Sequence, residues 1–204
     1  MNTGQVVVFP RFSGIRCLMM PYIQGDPASV PGVYAPYKNI VESVFLQKGA
    51  VGFLTIDESL ATAGTPHRGQ RARYSRALHT EAGIDSNKIY CWGGTGWGTP
   101  PHRVTLDRDV QVLLANNLDE SCAVWGAEHP DTSPDGDIGY AADRYPYRNA
   151  SFMKAGEVHS ISILTPHESL SVSRDFNRQF LRIVSSGVHG REEYFTHNHL
   201  VPFE

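Results

Sequence analysis

Three separate places in the chain hold residue types that could do chemistry together. His79-Thr80-Glu81 sets an imidazole and a carboxylate two residues apart. On an extended segment such residues point the same way. His167 follows the apolar run Ile161 to Pro166, and the pattern predicts it at the end of that strand. Arg178 opens Arg178-Gln179-Phe180-Leu181-Arg182-Ile183, one strand further along. Two imidazoles and a carboxylate suit divalent iron on one face of an octahedron, with three positions left open. A bidentate 2-oxo acid fills two of these and O2 the third. Alternation puts Arg178, Phe180 and Arg182 on one face. Two guanidiniums on the inward face of an apolar strand are costly without an anion, so a carboxylate or phosphate ligand is expected beside them. The planar fork of arginine grips a carboxylate through two parallel bonds.

Other groupings stay open. Glu157 and His159 form a second acid–histidine pair that could join His167 on a continuous strand, although Pro166 disturbs the alternation. His67 and the arginines at 68, 71, 73 and 76 form a basic run, either a solvated loop or edge strand, or a substrate-binding hairpin that meets an acidic group. Asn116 and Asn117 end an apolar strand, where their amides either bind a cofactor or make a turn. Trp92, Trp97 and the intervening glycines read as a packed loop or a lid, and His102 as loop surface. Ser59, Ser121 and Ser169 lack a GxSxG setting. Cys91 and Cys122 lack the flanking signature of a thiol nucleophile.

The elements that must position these groups are mostly strands. Residues 5–9, 15–20, 51–57, 104–106, 110–118, 121–125 and 178–186 read as strands, with two more in 151–167 hinged at Ala155-Gly156. One helix is expected after Pro36, carried by Ile40, Val41, Val44, Phe45 and Leu46, stopped at Gly49 and packed on a sheet. Many short strands with one early helix predict a mainly β jelly roll or barrel.

The 204 residues suit a single domain, 1–204. Within it, 1–50 supplies N-terminal strands and the helix, 51–186 the core, and 187–204 a tail that packs on the barrel or on a neighbour. Charged residues are 19% and the net charge is −3, which removes the footprint of a nucleic-acid binder. No run reaches the ~18 apolar residues of a membrane span. Three cysteines without metal spacing, and a start without a charged or apolar leader, predict reduced thiols and a cytoplasmic protein. Oligomeric state has no sequence signal.

The order HxE, then a histidine on a later strand, then an arginine one strand further, resembles the Fe(II)/2-oxoglutarate-dependent dioxygenase superfamily. The glutamate variant is similar to its clavaminate-synthase-like branch. The resemblance spans residues ~51–186 and implies a double-stranded β-helix (jelly-roll, cupin-like) with the N-terminal helix outside. It implies Fe(II) held by His79, Glu81 and His167, and 2-oxoglutarate clamped by Arg178, with Arg182 as the other candidate clamp. The implied reaction oxidises an unactivated C–H bond of a small molecule. Two alternatives remain: a metal-dependent cupin enzyme without 2-oxoglutarate, and a non-catalytic jelly-roll binding or structural protein.

Overall fold

The segment Phe176–Val184 alternates strictly in what its side chains meet. Leu181 and Ile183 enter one apolar cluster, Val184 and Phe180 another, and Arg178 and Arg182 share the face of the second. That period of two requires a strand. The computed structural model of the chain describes residues 1–67, 74–85, 88–90, 108–133, 136–185 and 195–201, and this strand is the last of twelve among the described residues.

The strands are β1 (Asn2–Val6), β2 (Arg16–Ile23), β3 (Val51–Ala61), β4 (Leu78–His79), β5 (Gly83–Asp85) and β6 (Lys88–Tyr90), then β7 (Gln111–Asn116), β8 (Cys122–Val124), β9 (Ser151–Phe152), β10 (Glu157–Ser162), β11 (His167–Ser169) and β12 (Phe176–Val184). A six-stranded sheet runs β1-β10-β7-β12-β3-β2, a four-stranded sheet β4-β11-β8-β9, and β5 pairs with β6. The pairs in both larger sheets are antiparallel. The fold is mainly β, as expected. The N-terminal strands do not lie apart from the core: β1 and β2 extend the six-stranded sheet at its opposite edges.

One face of the large sheet, with Leu54, Ile56, Leu113, Ala115, Leu181 and Ile183, packs on Tyr37, Ile40, Val41 and Val44. Each such aliphatic side chain contributes about 1.5–3 kcal/mol by leaving water. The other face, with Phe53, Val112, Leu114 and Val184, meets Cys122 and Val124 of β8 and Ile163 and Leu164. The helix therefore packs on a sheet as predicted, but it is shorter. A 3-10 turn covers Gly32–Tyr37 and α1 covers Lys38–Ser43. Beyond Val44, the amides of Leu46 and Gln47 donate to Gln24 Oε1 at 3.0 and 3.3 Å. The side chain of a buried glutamine has taken the donors that a longer helix would have needed.

The second correction concerns 151–167. Ser162 N donates to Thr165 Oγ1 and Thr165 N to Ser162 O, at 3.0 and 3.1 Å. The chain turns there, so His167 begins a strand in the other sheet rather than ending Ile161–Pro166. The described part of the tail packs on its own chain: Thr196 N donates to Leu18 O, and Asn198 Nδ2 to Pro21 O and Ser29 O.

Under the helix, Glu58 is 3% exposed. Its Oε2 accepts from the amides of Ser13 and Ile15 at 2.7 and 2.8 Å, and its Oε1 from Tyr37 Oη and Gln179 Nε2, both at 2.8 Å. Burial opposes the charged form, yet these donors hold the carboxyl below its usual range.

The hinge at Ala155-Gly156 is a turn in which Gly156 has φ +78°, and a Cβ there would lie 2.5 Å from Val7 O. Gly156→Ala therefore meets both a left-handed backbone and a fixed carbonyl. Chemical denaturation of this variant is expected to show a loss of about 2–3 kcal/mol.

Candidate functional site

A cavity of about 600 Å³ opens between the two larger sheets. Its wall takes Thr55, Asp57 and Ser59 from β3, His79 from β4, Leu114 from β7, Cys122 from β8, His167 from β11, and Arg178, Phe180 and Arg182 from β12. Arg16, Cys17, Glu81 and His67 also line it. Five of the six site residues predicted from sequence thus converge: His79, Glu81, His167, Arg178 and Arg182.

His79 and His167 are register partners on adjacent strands, with ring centroids 4.1 Å apart. His79 Nδ1 lies 2.7 Å from Ala77 O and His167 Nδ1 2.9 Å from Thr165 O. A carbonyl oxygen only accepts, so each Nδ1 carries the hydrogen and both rings are oriented by their own backbone. His167 Nε2 faces Glu81 Oε1 at 3.3 Å. Two lone pairs would confront each other there unless a proton or a metal cation lay between them. Adjacent donors around an octahedral ion with ~2.1 Å bonds stand about 3.0 Å apart, close to this separation. The donor types thus fit a borderline divalent metal such as iron. Among the described residues, however, no three His, Cys, Asp or Glu side chains stand in an arrangement that could hold one. A charge partner has claimed the carboxylate: Arg182 Nη1 donates to Glu81 Oε2 at 2.6 Å, with both side chains nearly fully buried.

Arg178 behaves differently. It is 4% exposed, and its Nε has no hydrogen-bond partner among the described residues. Its guanidinium carbon lies 4.8 Å from the Phe180 ring centroid. Burial lowers its pKa, but a guanidinium keeps its proton in proteins. One of the two inward arginines is therefore committed to Glu81, and the other stands on the cavity wall with an aromatic face as its support.

Of the two uses open to Asn116, the structure shows the turn: its Oδ1 accepts from Leu118 N and Ser121 Oγ at 2.8 and 3.0 Å after β7, and it is not among the described residues that line the cavity. The rival trio also separates. Glu157 and His159 pair with each other on β10 of the large sheet, while His167 belongs to the small one. In the basic run, Arg76 is structural. It donates to Glu168 Oε2 at 2.6 Å, and its guanidinium carbon lies 4.4 Å from the Tyr147 ring centroid and 5.3 Å from that of Trp125. His67 does meet an acid, since its Nε2 lies 3.1 Å from Asp57 Oδ2. Burial pushes the Cys17 thiol up to about 12 and the Cys122 thiol to about 11, so neither is an activated nucleophile. Arg68, Arg71, Arg73, Cys91, Trp92 to Trp97, His102, 104–106, Tyr194 and Phe203 lie outside the described residues.

Sequence reasoning missed Asp57 and Arg16. Asp57 Oδ1 accepts from Arg16 Nε at 2.8 Å, and its Oδ2 from Ser59 Oγ and His67 Nε2, each at 3.1 Å. The signal was present: an aspartate sits in the apolar strand 51–57, on the same parity as Phe53 and Thr55. The His67 bond, aided by the Arg16 charge and Ser59 and opposed by burial, holds the Asp57 pKa at about 2.

Comparison of the chain with protein-family models, curated proteins and solved structures finds no match in any of the three. Among the described residues no helix is long and apolar enough to cross a membrane.

Two measurements follow from the arginines and the acid. Arg182→Met strands the Glu81 charge and is expected to cost about 3–5 kcal/mol. Arg178→Met removes a buried charge that forms no salt bridge among the described residues, and is expected to leave stability unchanged or raise it. Parallel denaturant titrations of the two variants check the contrast. Asp57 has a folded pKa of about 2, below an unfolded value of roughly 4. Its contribution is therefore complete above that unfolded value and lost as pH falls through about 2. Asp57→Asn is expected to flatten this acid limb in pH-dependent unfolding.

Proposed function

We propose that the chain is an Fe(II)- and 2-oxoglutarate-dependent oxygenase acting on a small molecule, built on a double-stranded β-helix. The observation that carries this reading is Arg178, a buried guanidinium without a hydrogen-bond partner at Nε, on the wall of a cavity that also holds a backbone-oriented imidazole pair and a carboxylate. Strand order supports it. The chain passes from β3 in the large sheet to β4 in the small one, to β7, to β8 and β9, to β10, to β11 and to β12, giving β3-β12-β7-β10 opposite β4-β11-β8-β9. This to-and-fro winding is what two sheets coiled from one folded-over ribbon require.

In this reading His79, Glu81 and His167 would hold the iron once Glu81 turned toward it, and Arg178 would take the far carboxylate of 2-oxoglutarate. Iron, when bound with the 2-oxo acid and O2, supplies the oxidising power to attack an unactivated C–H bond. The protein's part is positional. The carbonyls of Ala77 and Thr165 fix the imidazole tautomers. Arg182 fixes one oxygen of Glu81, leaving Oε1 toward His167. Phe180, Leu114 and Cys122 give the cavity dry walls, which strengthens every charge interaction inside it. A volume near 600 Å³ lies within the range of small-molecule sites.

One observation favours a second reading. The Glu81–Arg182 pair satisfies the carboxylate without any metal, as expected of a metal-free jelly-roll module that binds an anion at Arg178.

Anaerobic Fe(II) titration with 2-oxoglutarate separates the two. The oxygenase gives a saturable visible charge-transfer band at one equivalent. Arg178→Met weakens 2-oxoglutarate binding about 30-fold or more, and His167→Ala abolishes metal uptake. Binding of 2-oxoglutarate without any metal uptake sinks the oxygenase and leaves the binding module. Metal uptake indifferent to 2-oxoglutarate indicates a cupin enzyme of another kind.

A further inference from the structure

Arg16 lies at the solvent end of the cavity. Its side chain is 72% exposed, whereas those of Arg178 and Arg182 are nearly fully buried. An exposed arginine beside an aspartate is ordinarily a surface pair worth little, but this one differs in two respects. First, the aspartate is braced. Ser59 Oγ and His67 Nε2 both hold the Asp57 oxygen that does not face Arg16, so Asp57 cannot swing out to follow the arginine. Second, Arg16 uses its inner nitrogen, Nε, on Asp57 at 2.8 Å, and neither terminal nitrogen has a partner among the described residues. The outer edge of the fork, which suits a two-bond grip on a carboxylate or phosphate, is thus aimed by a fixed carboxylate and left for another group.

Charge points the same way. Among the described residues the wall carries three arginines and two carboxylates, Asp57 and Glu81. Glu81 is paired with Arg182 and Asp57 is ringed by donors. The lining is therefore net positive, with spare donors at two places: Arg178 deep inside and Arg16 at the mouth. One small 2-oxo acid at Arg178 leaves the mouth unfilled.

We propose that the cavity mouth is the subsite for an anionic group, carboxylate or phosphate, of the molecule the protein acts on, gripped by the terminal nitrogens of Arg16. Asp57 is the positioning residue, and Ser59 and His67 hold it in place. The inference rests on the oxygenase reading only in calling that molecule a substrate; the subsite itself does not require the metal.

The test uses the whole chain, with succinate and inorganic phosphate as separate probes, and follows the arginine Nε–H resonances by NMR. Arg108 is the internal reference, being comparably exposed (64%) and paired with Glu128. The expected result is a saturable shift at Arg16 well beyond any at Arg108. The probe affinity read at the neighbouring Leu18 amide falls at least about fivefold in Arg16→Gln. It falls similarly in Asp57→Asn, where the guanidinium is still present but no longer aimed. A larger response to succinate or to phosphate identifies which anion the mouth prefers. An Arg16 shift no larger than that of Arg108, or unchanged affinity in Asp57→Asn, overturns the subsite. If Arg178 responds while Arg16 does not, the subsite fails and the 2-oxo acid reading survives. If Arg16 responds while Arg178 stays silent, the subsite stands and the 2-oxo acid reading fails. Arg16 is exposed and Asp57 retains 22% exposure, and a thermal melt of each variant confirms folding.

Discussion

The central strand β12 must serve two opposite environments, and the two-residue alternation of an extended chain is what permits it. Toward the helix it turns Leu181, Ile183 and Gln179, which enter the apolar cluster and the Glu58 network. Toward the cavity it turns Arg178, Phe180 and Arg182. Its partners on both sides, β3 and β7, run in register along most of its length. A slip of one residue would drive two guanidiniums into the aliphatic layer and expose the leucine and isoleucine to the cavity. The charges and the core therefore specify one register together, and the cavity inherits its geometry from that register.

The two inward arginines divide the work that the sequence pattern assigned to both. Arg182 neutralises the Glu81 carboxylate and makes its burial tolerable. Arg178, equally buried, has no hydrogen-bond partner at Nε among the described residues. This division follows from where Glu81 lies, beyond the end of β4 and against Arg182 toward the C-terminal end of β12, rather than from any difference between the two arginines.

Much of this was legible in the sequence. The strands at 51–57, 110–118 and 178–186 announce themselves by β-branched residues and alternation. The HxE pair, His167 and the arginines of β12 do meet at one cavity, because parity on short strands is a local property that spacing reports faithfully. What spacing does not report is sheet order: β12 pairs with β3 across more than a hundred residues, and no local pattern encodes that choice. The same limit hid the Arg16–Asp57 and Arg76–Glu168 pairs, each joined through non-local contacts. The helix read too long because its apolar rhythm continues past Val44, while a distant glutamine takes its amides. Asn116 stayed open between ligand and turn because parity cannot tell an amide aimed at a cavity from one folded back on its own turn.

Glu58 has a consequence for how the molecule comes apart. Its two oxygens join the backbone at Ser13 and Ile15, the hydroxyl of Tyr37 before the helix, and Gln179 in the middle of the sheet. Peeling away the N-terminal segment would leave a buried carboxylate with half its donors gone, a state more costly than the few contacts broken. The segment that reads as an addition to the barrel is therefore bound into the same cooperative unit. The slowest amide protons of the sheet should share their exchange behaviour with Ser13 and Ile15, because opening at either place requires opening at both.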